Sequence, residues 1–193
     1  WKLLLGYYSP NKDLWASSVA RKKEDYMDCS RTHFPNLTYY EDSKESSTVS
    51  EEMNSSEEQH YKQILIDVKR TNPSEAFSSK VAKDMLTRVL FVWSCKHPTS
   101  GYVQGMNDLA ATFMDVFLAE AVDISRKEHE GKSNDDVDHN KNAYDLTLDD
   151  MQLLKDDQII SIEVDTYFCL ENFLKTLQEN YTDKQPGVYK VLK

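Results

Sequence analysis

The sequence predicts an all-α fold, on two observations. Apolar residues recur at helical spacing over three long segments, and no stretch alternates polar with apolar between hairpin turns. No repeat of 20–50 residues makes it a solenoid. In chain order, short helices are expected near 13–29 and 58–69. The segment 80–95 sets Val81, Met85, Val89 and Val92 or Trp93 on one stripe. Asn72 as N-cap, Pro73 as first helical residue and Glu75 as capping-box partner place the start of that helix near Pro73. The segment 104–122 lines up Met106, Leu109, Ala110, Phe113, Phe117 and Ala121. The segment 157–178 does the same with Ile160, Val164, Tyr167, Phe168, Phe173, Leu174 and Leu177.

The 193 residues favour one domain or little more, with 39% hydrophobic and 29% charged residues. Formal net charge is −10, which makes nucleic acid an unsuitable partner, because such binding rests on neutralising phosphates. The acid is concentrated. Residues 41–60 hold seven Asp or Glu against one Lys, and 123–150 hold nine against four Lys or Arg, leaving the remainder nearly neutral. Two apolar-poor insertions, about 41–58 and 123–150, are therefore expected as mobile loops outside the core. No apolar run is long enough for a transmembrane segment. Three cysteines without a Cys-x-x-Cys pair, and no signal segment, point to a reducing cytoplasmic compartment. The opening Trp1 reads as a domain taken from a longer protein.

Common catalytic outfits are missing. There is no Gly-x-x-x-x-Gly-Lys-Ser/Thr or Gly-x-Gly-x-x-Gly loop for a nucleotide, and the five histidines do not pair at metal-ligand spacing. Asp135, Asp136 and Asp138 lack the Gly and distal Glu of a calcium loop, so no metal site is expected.

Two segments carry chemistry. In Gln63–Pro73 the helix of 58–69 should end near Lys69 and leave Arg70 on a corner, with Asp67 three residues earlier and able to hold its guanidinium. The bland alternative is a surface Arg in a marginal ion pair. In His97–Asp108, Pro98 closes one helix and Gly101 turns into the next, which puts Gln104 in the first turn of the 104–122 helix. There Gln104 can be an ordinary capping partner. Gly105 in an early helical turn is costly and makes sense where something approaches the backbone closely. Together, a guanidinium and a carboxamide are what phosphoryl transfer needs from outside a nucleotide site: one neutralises charge, the other orients water.

At these residues the sequence resembles TBC domains, the Rab GTPase-activating proteins. The carriers are Ile64-x-x-Asp67-x-x-Arg70, then Thr71-x-Pro73, and Tyr102-x-Gln104-Gly105-Met106-Asn107-Asp108. Trp1–Tyr7 resembles the family's first helix. Ile162–Tyr167, Asn180–Thr182 and Gln185–Gly187 are similar to the branch called TBC domain family member 22. The resemblance implies that Arg70 is an arginine finger and Gln104 a glutamine finger, inserted in trans into a GTP-bound Rab small GTPase. Asp67, Tyr102, Gly105 and Asn107 would support them. It implies no cofactor, since GTP and magnesium belong to the partner. It also implies vesicle-trafficking work in the cytoplasm, peripheral to endomembranes. By the same resemblance the chain is the N-terminal part of the domain, without its C-terminal subdomain, and exposes apolar faces around 167–177. A catalytically inactive Rab-binding or scaffolding module is the alternative, and a helical domain whose acidic loops dock basic partners is a third.

Overall fold

The computed structural model describes residues 2–34, 53–130 and 146–176. Five helices carry the fold: α1 (Trp15–His33), α2 (Ser55–Arg70), α3 (Lys80–Lys96), α4 (Met106–Glu130) and α5 (Asp156–Thr176). Short 3-10 turns over Lys12–Leu14, Glu75–Ser78 and Asp149–Leu153 join them, and no strand occurs among the described residues.

α3 is the centre, packed against all four other helices. The sequence predicts an amphipathic stripe here, but every residue from Met85 to Ser94 is buried. The helix is thus enclosed on all sides from Met85 onward, and its apolar run Val89–Trp93 is the reason it sits inside. Arg88 lies among these buried residues, just before that run, and is 1% exposed. Its Nε donates to Glu163 Oε1 of α5 at 2.9 Å, its Nη2 donates to the same oxygen, and Tyr26 of α1 donates its hydroxyl to Glu163 Oε2 at 2.9 Å. One buried carboxylate thus ties α1, α3 and α5 together. Burial pushes the Glu163 carboxyl up, and the charge and bonds of Arg88 and the bond from Tyr26 work against it without cancelling it.

The structure moves three predicted boundaries. α3 starts at Lys80 and not near Pro73, because the Ser79 hydroxyl caps Ala82 N at 3.1 Å, while 75–78 forms a separate 3-10 turn. α2 begins at Ser55, inside the first predicted insertion. Asn54 accepts from Ser56 N and Glu57 N at 3.0 Å, and Glu57 accepts from Asn54 N at 3.0 Å, a complete capping box. The acid counted there as loop is partly helix N-terminus, where carboxylates oppose the positive end of the peptide dipoles. α4 continues to Glu130, so the second insertion begins later than 123, and Arg126 reaches back to Asp150, which also accepts from Thr147 N at 2.9 Å. Residues 41–52 and 131–145 of the predicted insertions lie outside the described residues, as do the motifs at 180–187.

Apolar exposure also differs from expectation. Tyr167 and Leu174 are buried and Phe168 and Phe173 half-buried, whereas Leu3 and Leu4 are 58% and 86% exposed. The cysteines are free thiols; Cys169 is buried, Cys29 and Cys95 half-buried, and burial pushes Cys95 and Cys169 up to about 12. Among the described residues no helix is long and apolar enough to cross a membrane, and no group of His, Cys, Asp or Glu is placed to hold a metal ion.

Candidate functional site

α2 ends where the sequence demands it. Pro73 disfavours a helical backbone at Asn72, so the helix cannot run on past this point, and its last residue is Arg70. Thr71 adopts an extended conformation and closes the helix twice. Its N–H donates to the carbonyls of Asp67 and Val68 at 3.0 and 3.1 Å, and its hydroxyl to the Asp67 carbonyl at 2.9 Å. Arg70 is left at the tip, 64% exposed at its side chain, with Nη2 donating to Asp67 Oδ1 at 2.6 Å. The predicted corner Arg and its partner are therefore both in place.

Asp67 is more than that partner. It is 2% exposed, and its other oxygen, Oδ2, accepts from Gln63 Nε2 at 3.1 Å and from the Tyr102 hydroxyl at 2.9 Å. Burial works against its charge. The bonds from Gln63, Arg70 and Tyr102 outweigh that and hold its carboxyl below the usual carboxylate range. The Tyr102 phenol is pushed the other way, by burial first and then by its bond to Asp67, so it keeps its proton and donates.

Tyr102 belongs to the second predicted segment, so this bond joins the two. After α3, the Gly101 N–H donates to the His97 carbonyl at 2.8 Å, and residues 101–103, without regular secondary structure, lead into a turn at Gln104 and Gly105. Here the structure corrects the reading of Gln104 as a helical residue. α4 starts at Met106, and Gly105 has φ of +98°, which no right-handed helix contains. Nothing lies within 4 Å of a Cβ built on Gly105, so glycine is required for its backbone angle and not for a close approach within this chain. Gln104 is exposed at the apex of the turn.

Asn107 fixes the turn from behind. Its Oδ1 accepts from Gly105 N at 3.1 Å, and its Nδ2 donates to Thr71 Oγ1 at 2.8 Å and Asp108 Oδ1 at 2.9 Å. The Tyr102 oxygen also stands 3.1 Å from Asn107 Oδ1; its one proton goes mainly to the carboxylate, the stronger acceptor. All six predicted site residues thus fall in one constellation: Arg70 and Gln104 outward, Asp67, Tyr102, Gly105 and Asn107 behind them. Gln63 and Thr71 also belong to it, though sequence reasoning gave them no role. The four-residue spacing of Gln63 and Asp67 on one helix face is a signal that could have found the first.

Human TBC1 domain family member 22B is 35% identical over 197 residues, covering 100% of this chain and 32% of its own length. GTPase-activating protein GYP1 of Saccharomyces cerevisiae is 32% identical over 194 residues, covering 100% of this chain and 26% of its own. The chain thus spans about a third or less of the curated relatives it matches. The crystal structure of the Ypt/Rab-GAP domain of Gyp1p superposes with a TM-score of 0.73 at 29% identity, covering 98% of this chain and 50% of that one. The family model described as Rab-GTPase-TBC domain matches residues 1–193, and the chain belongs to that family.

Proposed function

We propose that this chain accelerates GTP hydrolysis by a GTP-bound Rab-family GTPase, with Arg70 as arginine finger and Gln104 as glutamine finger. The observation that carries the reading is the sharing of one buried carboxylate: Asp67 holds Arg70 through Oδ1 and, through Tyr102 on Oδ2, the segment that bears Gln104. A surface Arg in an idle ion pair needs no such bracing, and an exposed amide on a glycine-specified turn needs no Asn107 behind it. Two relatives that bear the name GTPase-activating protein support the same class of activity.

In this mechanism the GTPase supplies GTP and magnesium. Arg70 enters its nucleotide site and places guanidinium N–H groups on the oxygens around the transferring phosphoryl, where negative charge develops. The Gln104 carboxamide accepts from and donates to the attacking water and aligns it with the phosphorus. An arginine finger is worth about 10³–10⁵ in rate. Nothing on this chain is consumed, and it needs no cofactor of its own. Work of this kind belongs to the cytoplasmic face of endomembranes, where such GTPases act.

The test is GTP hydrolysis by a panel of Rab GTPases, with the protein at its full encoded length. Stimulation by wild type is expected, and its loss in Arg70→Ala, Arg70→Lys and Gln104→Ala. Lys keeps the charge but not the planar fork. An Arg70→Lys protein as active as wild type would refute the finger. GTP-dependent binding without stimulation anywhere in the panel would make this a binding module instead.

A further inference from the structure

The turn that presents Gln104 is held after its apex by Gly105 and Asn107 and before it by Tyr102, and a further contact holds the chain one residue earlier, where it enters the turn. His60 projects from α2 onto Gly101, and a Cβ at Gly101 would overlap the imidazole at both Cε1 and Nε2. Gly101 is buried and has φ of +56°, so it is glycine for two reasons, the backbone angle and the ring lying on it. The ring is not free to swing away. Its Nδ1 lies 3.1 Å from the hydroxyl of Ser94, a 2% exposed residue of α3, within hydrogen-bonding distance.

His60, Ile64, Asp67 and Thr71 follow one another at spacings of four, three and four, so they line one face of α2. That face meets the finger turn on both sides of its apex. His60 and Asp67 meet its start, at Gly101 and Tyr102, and Thr71 meets its end through Asn107. The Tyr102 side chain is tethered at its hydroxyl, whereas the His60 ring lies directly on the backbone at Gly101, where a positive φ turns the chain toward the apex.

We infer that His60 is a positioning residue for Gln104: by seating its imidazole on Gly101 it fixes where the carboxamide stands relative to Arg70 on the same helix. The inference rests on the finger reading above. His60 touches neither nucleotide nor water; it acts through the turn.

Two measurements on the full-length protein test it. The first is Rab GTP hydrolysis with His60→Ala, in the wild-type and the Gln104→Ala backgrounds. His60→Ala should lower kcat five- to tenfold with KM for the GTP-bound Rab unchanged. The residual stimulation that Arg70 alone provides in the Gln104→Ala background should not change on adding His60→Ala, because there is no carboxamide left to misplace. Gly101→Ala, which unseats the ring from the other side, should lower kcat in the same way. A proportional loss in both backgrounds would reduce His60 to a general structural role, and an unchanged kcat would overturn the inference outright. The second is amide hydrogen exchange with no GTPase present. His60→Ala should speed exchange at Gly101 and Gly105 and leave the interior of α3 unchanged. Should wild type stimulate no Rab, the finger reading fails, and exchange alone decides the seat: unchanged rates at Gly101 and Gly105 would refute it.

Discussion

Replacing Asp67 with Asn tests the shared carboxylate most directly, because it removes one charge and almost no volume. On the Arg70 side the loss is small: that side chain is 64% exposed, and screening leaves such a pair worth about 0–1 kcal/mol. On the Tyr102 side a buried, charge-assisted bond becomes a neutral one, a difference of about 1 kcal/mol. Complete orphaning of the phenol is avoided, since Asn107 Oδ1 stands 3.1 Å away and can accept its proton. The expected cost is therefore about 1–2 kcal/mol in denaturant unfolding, small enough for the domain to fold. Asp67→Ala, which takes away both acceptors, should cost roughly 1–2 kcal/mol more. The pH dependence has a definite sign. Asp67 titrates below its unfolded value, so its contribution is complete above a carboxylate's ordinary pKa of about 4 and fades as pH falls through the lower folded value. Wild type and Asp67→Asn should thus converge in acid and differ fully at neutral pH. Rab stimulation should fall about 10- to 100-fold, the effect of a misplaced guanidinium and not of an absent one. A variant as stable as wild type at pH 7, or one that stimulates normally, would refute the account of Asp67 as the common brace.

Three further outcomes follow from the geometry. Glu163→Ala leaves the Arg88 guanidinium in the core without its carboxylate and should cost about 3–5 kcal/mol, read as a large fall in Tm. Asn54→Ala removes the capping box of α2 and should cost about 1 kcal/mol by denaturant titration, with no effect if 54–58 is loop as its composition suggests. Asp115 is 2% exposed with Oδ2 unpartnered among the described residues, and burial raises its carboxyl despite the bond from Ser74. Its charged form is the disfavoured one. Asp115→Asn should therefore gain on wild type as pH climbs above about 4, and a gain on acidification would contradict the assignment.

What the sequence discloses here is what one or two helical turns can decide. Arg70 and Asp67 are three residues apart, and Asn72-Pro73 ends the helix beside them, so the corner was readable. The Tyr102–Asp67 and Asn107–Thr71 bonds join residues 35 and 36 positions apart and depend on how α2, α3 and α4 pack, which no local pattern encodes. Gln104 was misplaced into a helix because an apolar stripe follows it; the φ of Gly105 forbids that, and a glycine's φ is invisible before folding. The capping signal at Asn72 lost to Ser79 for a related reason: both satisfy the local rule, and the packing of Ala76 and Phe77 in the core selects between them. Acid counted over a window likewise cannot tell Glu57 at a helix start from a glutamate in a loop. Arg88 and Glu163 drew no attention, although a charge inside an apolar run was a visible cue.

The short bond between Arg70 and Asp67 has a consequence for the free protein. A guanidinium carries five N–H donors, and the Asp67 bond engages Nη2, leaving others for phosphate oxygens. An arginine loose in water holds about 2 kcal/mol of rotamer entropy, which an encounter with GTP would otherwise have to remove. In this chain part of that ordering is completed when the protein folds. In the proposed finger role, Arg70 would present an incoming phosphate with a narrowed set of side-chain conformations, and the barrier to engaging it should carry less unfavourable entropy than it would without the tether. The temperature dependence of the stimulated rate, compared between wild type and Asp67→Asn, is where that difference would surface.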